Sequence, residues 1–225
     1  MIVPFSVWLI NYRLRVNFTI TTTRARTARP DSNTSYVKIG RISGERRSSR
    51  SMKITPENNR GETSTCRASL AKWCEGAGVD IGFGGHAPIV ETAITSDQYP
   101  EPWFGSGWPN ALVVDAFKRL PFSDNSLDYL YSSHCLEDAI DTRSVLAEWA
   151  RVIRPGGVIV LFLPDQKTYE EDCRVQGTGP NPDHKHGHFS LDYVISCLPG
   201  TVEVIHKAFP VDYNRYSFEL VVRKK

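Results

Sequence analysis

The chain is poor in cysteine and has no long apolar run. Its five cysteines are odd in number and contain no Cys-x-x-Cys pair, which argues against a disulfide framework and for reduced thiols in a cytosolic compartment. No segment approaches the roughly 20 consecutive apolar residues that a membrane helix needs. A length of 225 residues with 40% hydrophobic residues suits one α/β domain with an appendage. We therefore expect a cytoplasmic protein without a membrane partner.

The chain also has little net charge, a formal +2, but the charge is unevenly distributed. Residues 1–51 contain ten of the 27 Lys and Arg and only two acids, Asp31 and Glu45, so they carry about +8 and leave about −6 for the remainder. A polyanion such as DNA or RNA needs compensating Lys and Arg. The acidic remainder therefore disfavours a nucleic-acid partner.

This charge shift divides the chain into a basic Ser/Thr/Arg-rich extension, residues 1–51, and a domain at 52–225. Alternating apolar residues from Tyr12 to Ile20 indicate a strand, whereas the rest of the extension is too polar for a core and is expected to be disordered. Four interpretations stay open: a dispensable extension, upstream sequence included by a misplaced start codon before Met52, a targeting peptide, and a structured arm.

Strand and helix patterns alternate in the domain. A capped helix is predicted to begin at Thr63 or Ser64 and to stop at Gly76, and a second helix covers about 142–152. Residues 189–198 also look helical. Strands are predicted at 78–82, 92–96, 111–114, 127–131 and 157–163, followed by two C-terminal strands joined by a short turn. This order predicts an α/β fold, a mostly parallel seven-stranded sheet with an antiparallel terminal hairpin.

Two stretches carry a family resemblance: the glycine turn in "VDIGFGG" (79–85) and "DAFKRLPFSDNSLDYLYSSHCLEDAIDTRSVLAEWARVIRPGGVIVLFLPD" (115–165). In order and spacing they resemble the class I S-adenosylmethionine-dependent methyltransferases, which have a Rossmann-like fold, and in particular the small-molecule type 11-like branch. Only fifteen positions separate Gly82 from Asp97, and Pro88 interrupts them. The helix that typical members place here is therefore expected to be short or absent, as in the subgroup with a G-x-G-G turn.

The resemblance implies S-adenosylmethionine as cofactor. Glycine α-carbons let backbone amides approach the cofactor, a carboxylate after the second strand accepts from the ribose, and one after the third accepts from the adenine amino group. The amides that follow meet the ring nitrogens, and Leu120 covers the base. The predicted cofactor-binding residues are Asp80, Gly82, Phe83, Gly84, Gly85, Asp97, Asp115, Ala116, Phe117, Leu120, Ser132 and Ser133.

Methyl transfer from a sulfonium is an in-line displacement, so the protein mainly has to position the acceptor, and a base matters only for a weak nucleophile. The predicted catalytic residues are His134, Asp165 and His186. The alternative interpretation of His134 is a structural one, in which its side chain makes a hydrogen bond within the loop.

The acceptor is expected between the His134 loop and the segment 164–190, which also supplies Gln166, Tyr169, His184 and His188. Its side chains suit a small polar molecule such as a sugar or glycan intermediate. Alternating histidines also suggest zinc, but no companion Cys or carboxylate has a recognised zinc spacing, so no metal is predicted.

Two other functions stay open. A nicotinamide-dependent dehydrogenase also has a glycine turn followed by an acid, but it would not explain "LPFSDNSLDYLYSSH" or the antiparallel finish. A non-catalytic descendant that binds a cofactor or a partner is compatible with the same residues. The sequence carries no signal for the oligomeric state.

Overall fold

The structure, a computed structural model, describes residues 52–99, Trp108 and residues 111–225. The strands are β1 (Gly78–Ile81), β2 (Ile94–Asp97), β3 (Leu112–Val113), β4 (Leu127–Ser133), β5 (Ile153–Pro164), β6 (Val202–Ala208) and β7 (Ser217–Lys224). They form one sheet in the order β3-β2-β1-β4-β5-β7-β6, parallel except where β7 pairs with β5 and β6. The predicted sheet is confirmed. The extension and its predicted strand lie outside the described residues.

Four helices accompany the sheet: α1 (Gly61–Leu70), α2 (Thr142–Val152), α3 (Gln166–Gln176) and α4 (Leu191–Cys197). A short 3₁₀ turn continues α1 through Ala71–Trp73. In the part of the chain that the structure describes, no helix is both long and apolar enough to cross a membrane.

Two helices differ from the sequence-based expectation. The first helix begins at Gly61, and its N-cap residue, Arg60, makes no side-chain capping bond, so the predicted cap at Thr63 or Ser64 is wrong. Residues 166–176 lie in the segment 164–190, for which no helix was predicted, and form α3. The sequence gives no apolar periodicity for α3, because this helix is strongly polar and buries only Gln166 and Cys173.

The sheet separates two apolar layers. Alternate residues of a strand point to opposite faces, and β4 shows this directly: Leu130 packs in the layer that contains Trp149 of α2, whereas Tyr129 and Tyr131 pack in the layer that contains Leu70 of α1. All of these side chains are fully buried. The parallel pairing of β1 with β2 and β4 brings the carboxyl ends of these strands to one edge, where ligands bind in open parallel sheets.

Candidate functional site

The glycine turn after β1 has backbone angles that favour glycine. Gly82, Gly84 and Gly85 have φ angles of 69°, 68° and 99°, in the region that glycine adopts without steric cost. A Cβ at Gly82 would lie 2.5 Å from Cys135 Sγ. Residues 82–93, all described, contain no helix, so the expected loss of that helix is confirmed. The more detailed subgroup assignment stays a prediction.

Asp97, at the end of β2, lies against this turn. The Gly84 amide donates to Asp97 Oδ2 at 2.9 Å, and the Tyr99 amide donates to Oδ1 at 3.2 Å. A carboxylate offers about four lone-pair positions, so capacity remains for hydroxyl donors. The Phe83 amide instead donates to the Ser96 carbonyl at 3.0 Å, and the Phe83 side chain packs in a small apolar cluster.

Asp80 lies beneath the loop that replaces the missing helix. It is 2% exposed, and its Oδ2 accepts from the Ile89 amide at 2.8 Å. The guanidinium of Arg67 donates to the carbonyls of Ala87, Pro88 and Ile89. Burial raises the pKa of Asp80 to about 7. Asp80 therefore braces the loop, which argues against its predicted contact with the cofactor.

Asp115 organises the turn after β3. Its Oδ1 accepts from the Phe117 amide at 2.9 Å, and its Oδ2 lies 3.2 Å from Lys118 Nζ. The Phe117 amide is thus already engaged within the turn. Leu120 is 1% exposed and lies in the main apolar core, which argues against its predicted role of covering the base. Asp115 and the Ala116 amide stay candidates.

The two serines at the end of β4 differ. Ser132 is fully buried, and its hydroxyl donates to the Ile81 carbonyl at 3.0 Å, so it joins β4 to β1. The Ser133 hydroxyl oxygen is buried and has no hydrogen-bond partner. Buried polar atoms normally have a partner, so Ser133 is the better ligand-binding candidate.

His134 follows β4 with a left-handed φ of 47°, a conformation that costs energy for a residue with a Cβ. Its Nε2 lies 2.9 Å from Ser217 Oγ and 3.8 Å from Glu62 Oε2. Burial lowers the pKa of His134 to about 4, so the imidazole is neutral at pH 7. The structure places this ring at the ligand edge of the sheet, as expected.

Glu137 is a site residue that the residue-level prediction missed. It is 1% exposed, and its Oε1 lies 3.7 Å from Nδ1 of His134 and 3.7 Å from Nε2 of His184. Its Oε2 has no hydrogen-bond partner. Burial raises the pKa of Glu137 well above its usual range. The only signal in the sequence was its position in the "SSHCLE" segment.

The other two predicted catalytic residues, Asp165 and His186, make hydrogen bonds of their own. Asp165 Oδ1 accepts from the Thr168 amide at 3.1 Å and caps α3. His186 Nε2 lies 2.9 Å from the Ala139 carbonyl, and its ring packs against Tyr193. The predicted catalytic grouping of His134, Asp165 and His186 stays a prediction. Among the described residues, no group of three or more His, Cys, Asp or Glu is arranged to hold a metal ion.

Two cavities flank α3. One, of about 510 Å³, lies beside the connection from β6 to β7 and is lined in part by Thr168 and Arg215. The other, of about 410 Å³, lies beside the 180s segment and is lined in part by Asp165 and His188. Neither of these two cavities is lined by His134.

This sheet order and this glycine turn beside an acid define a Rossmann-like nucleotide-binding fold of the methyltransferase type. Residues 79–161 match the family model described as a methyltransferase domain. This match covers a little over a third of the chain and, with the sheet order, supports the resemblance to class I S-adenosylmethionine-dependent methyltransferases.

Solved structures agree with the fold. A protein from Pyrococcus horikoshii superimposes with a TM-score of 0.57 and 16% identity, over 76% of this chain and 97% of that one. A SAM-dependent methyltransferase from Aquifex aeolicus gives a TM-score of 0.50 and 14% identity, over 76% and 94%.

Curated relatives match over short segments. A demethylmenaquinone methyltransferase from Staphylococcus epidermidis is 40% identical over 57 residues, which is 25% of this chain and 24% of that protein. A malonyl-[acyl-carrier protein] O-methyltransferase from Xylella fastidiosa is 37% identical over 59 residues, 25% of this chain and 20% of that protein. The chain thus spans less than a third of the length of these relatives.

Proposed function

We propose that the chain is an S-adenosylmethionine-dependent methyltransferase that acts on a small hydroxyl-bearing acceptor, such as a sugar or a glycan intermediate. The observation that carries the cofactor part is the 2.9 Å contact between the Gly84 amide and Asp97. It puts a carboxylate with spare lone pairs beside backbone that no Cβ obstructs.

The described residues fit the cofactor. The turn from Gly82 to Gly85 and the Ser133 hydroxyl are available to its methionine part, Asp97 to the ribose hydroxyls, and Asp115 with the Ala116 amide to the adenine. When bound, S-adenosylmethionine supplies a methyl group on a sulfonium sulfur. The protein contributes mainly by holding the acceptor in line with that methyl group, and His134 would contact the acceptor and accept its proton.

The side chains around His134 support a polar acceptor. Tyr216 Oη donates to Glu62 Oε1 at 2.8 Å, and Tyr169 packs against both Tyr216 and His184 at ring-centroid distances of 5.4 and 4.9 Å. These groups offer hydrogen bonds and aromatic faces. The malonyl-[acyl-carrier protein] and demethylmenaquinone enzymes are similar over under 60 residues each, so their names do not decide the acceptor.

Calorimetry with S-adenosylmethionine, its demethylated product and NADH tests the cofactor. Asp97→Asn should weaken binding of the first two about 10- to 100-fold, since a hydrogen bond to a charged group contributes about 1.5–3 kcal/mol. Asp124→Asn is the matched control, because this acid pairs with Arg151 before β4, at the opposite edge of the sheet. Binding of NADH instead would indicate a dehydrogenase.

Transfer of a labelled methyl group to a panel of acceptors tests the reaction. A nucleotide sugar, a malonyl thioester and a hydroquinone represent three acceptor classes. Transfer to a hydroxyl of the sugar or of the hydroquinone supports a hydroxyl-bearing acceptor, whereas transfer to the malonyl carboxylate or to a ring carbon of the hydroquinone overturns the acceptor part of the proposal. Cofactor binding without transfer to any member would favour the non-catalytic descendant.

A further inference from the structure

The proton released by the acceptor needs a destination, and this inference rests on the proposed function. Methylation of a hydroxyl replaces its O–H bond by an O–C bond, so one proton must leave. His134 alone is a poor final holder, because burial lowers its pKa to about 4. Its Nδ1 faces Glu137 at 3.7 Å, which points to a continuation beyond the ring.

The hydrogen bonds of His184 determine which of its nitrogens carries a proton. His184 Nδ1 lies 2.6 Å from Gln166 Oε1, while Gln166 Nε2 donates to Glu170 Oε1 at 2.8 Å. An amide oxygen only accepts, so His184 Nδ1 is the donor. Neutral imidazole has one N–H, and Nε2 of His184 is therefore bare.

That bare nitrogen faces Glu137 Oε1 at 3.7 Å. If Glu137 were ionised, its carboxylate oxygen and the unprotonated Nε2 of His184 would be two acceptors facing each other, in a site where Glu137 is 1% exposed. A protonated Glu137 removes the conflict, because a hydroxyl group at Oε1 can donate its proton to His184 Nε2 while the same oxygen accepts from His134 Nδ1. Burial, which raises the pKa of Glu137, acts in the same direction.

We propose that Glu137 and His184 carry the acceptor proton away from His134. The hydroxyl proton binds Nε2 of His134, the proton on its Nδ1 moves to Glu137, and the proton of Glu137 moves to Nε2 of His184. The acceptor oxygen bonds the methyl carbon as its O–H bond breaks, and the electron pair of the former S–C bond stays on sulfur. The positive charge of the sulfonium thus ends on His184.

The charges around His184 only partly favour its imidazolium. Burial lowers the pKa of His184 below its usual value and Lys185 acts in the same direction, whereas Asp183 and Glu170 oppose the fall, so His184 holds the proton transiently. The other charged groups that face the cluster are Glu62, which acts on both His134 and Glu137, and Asp138, which acts on Glu137. His184 belongs to a largely exposed segment, from which a proton can pass to water.

The contacts of Glu137 with the two histidines have to shorten before protons move. Each measures 3.7 Å, whereas an N–H···O bond measures about 2.9 Å. Catalytic hydrogen bonds are often long before substrate binds and tighten in the complex. Glu137 and His184 are thus positioning residues that act through His134, the group that contacts the acceptor.

The first test needs no acceptor. Imidazole nitrogen NMR of the full chain at pH 8 should show His134 and His184 neutral, each with its proton on Nδ1. Infrared spectra should contain a carboxylic-acid carbonyl band that Glu137→Gln removes. Asp138→Asn, which alters an acid whose pKa of about 6 reflects burial and Asp183, should leave that band in place.

Three results would overturn the inference at this stage: a doubly protonated His184, a His184 proton on Nε2, or an unchanged band in Glu137→Gln. The glutamine amide imitates the protonated acid in shape and hydrogen bonding, so the histidine tautomers should persist in this variant. Their persistence separates a lost proton path from a disturbed fold.

The second test uses whichever hydroxyl acceptor the wild-type chain methylates. Glu137→Gln should lower kcat about 100-fold, at the low end of what proton transfer contributes, with KM and cofactor affinity near wild type. Asp124→Asn, which alters an exposed acid paired with Arg151, should stay close to wild type. Unchanged kcat in Glu137→Gln overturns the proton path and leaves the proposed function standing. Absence of cofactor binding by the wild-type chain overturns the proposed function. The spectroscopic results then decide by themselves whether Glu137 is protonated and His184 carries its proton on Nδ1.

Discussion

Replacement of Asp80 by Asn should change how the stability of the fold depends on pH. The pKa of Asp80 rises from an ordinary 3.8 to about 7, chiefly by burial, while the Ile89 amide and Arg67 oppose the rise. The unfolded chain therefore loses this proton at lower pH than the folded chain. The contribution of protonated Asp80 to the unfolding free energy is fully present below about pH 3.8 and is lost as pH rises to about 7.

The size of the effect follows from the shift. Roughly three pH units, at about 1.4 kcal/mol per unit, give about 4 kcal/mol of unfolding free energy, and more than half of this falls between pH 5 and pH 7. Asn keeps an oxygen for the Ile89 amide but does not titrate. The difference in unfolding free energy between Asp80→Asn and wild type should therefore shift in favour of Asn as pH rises.

Urea unfolding of both proteins at pH 5, 6, 7 and 8 measures this difference. Asp124→Asn is the control, because this acid is exposed and pairs with Arg151. If the curves for wild type and Asp80→Asn run parallel across this range, Asp80 is ionised in the folded chain. Arg67 would then outweigh burial, and the reasoning would be wrong.

Three further predictions concern the site and its support. Asp115→Ala should weaken cofactor binding about 10- to 100-fold in a titration, and unchanged affinity in a folded variant would remove this residue from the site. Trp149→Phe should lower the unfolding free energy by about 1–3 kcal/mol, because it leaves the buried Ala116 carbonyl without its 3.0 Å indole donor; an unchanged urea midpoint would contradict this. A chain that starts at Met52 should have the same melting temperature and cofactor affinity as the full chain. A chain that starts at Gly61 should bind the cofactor more weakly, since it lacks the Asn58 carbonyl that accepts from the Ala87 amide. Equal affinity of the two shortened chains would refute this role of Asn58.

The fold was largely predictable because its strands are short buried runs between turn signals. Even the two-residue β3 and the terminal hairpin follow from local pattern. The third helix was not predictable in the same way, since its residues are mostly polar and its ends depend on Asp165 and Gly177 as caps. Capping signals without apolar periodicity are easily taken for a loop.

The cofactor side of the site was predictable where function depends on backbone. Gly82 is required by its own φ and by the nearby Cys135, and Asp97 follows its strand directly. The bond from the Ile89 amide to Asp80 was not predictable, because all four residues of β1 are buried and alternation gives no sign of which way an acid points. The burial of Leu120 was not predictable either, because an apolar residue beside a turn is as compatible with core packing as with contact to a base.

The acceptor side depends on contacts between distant parts of the chain. Three histidines alternate at 184, 186 and 188, and nothing in their spacing selects one of them. The selection comes from the Lys185 amide, which donates to the Glu137 carbonyl at 3.0 Å and thereby places His184 beside the Glu137 carboxyl. Glu137 thus binds the loop at Lys185 through its backbone carbonyl and faces His184 through its carboxyl group. Movement of this loop to admit an acceptor must therefore also change the surroundings of the Glu137 carboxyl group.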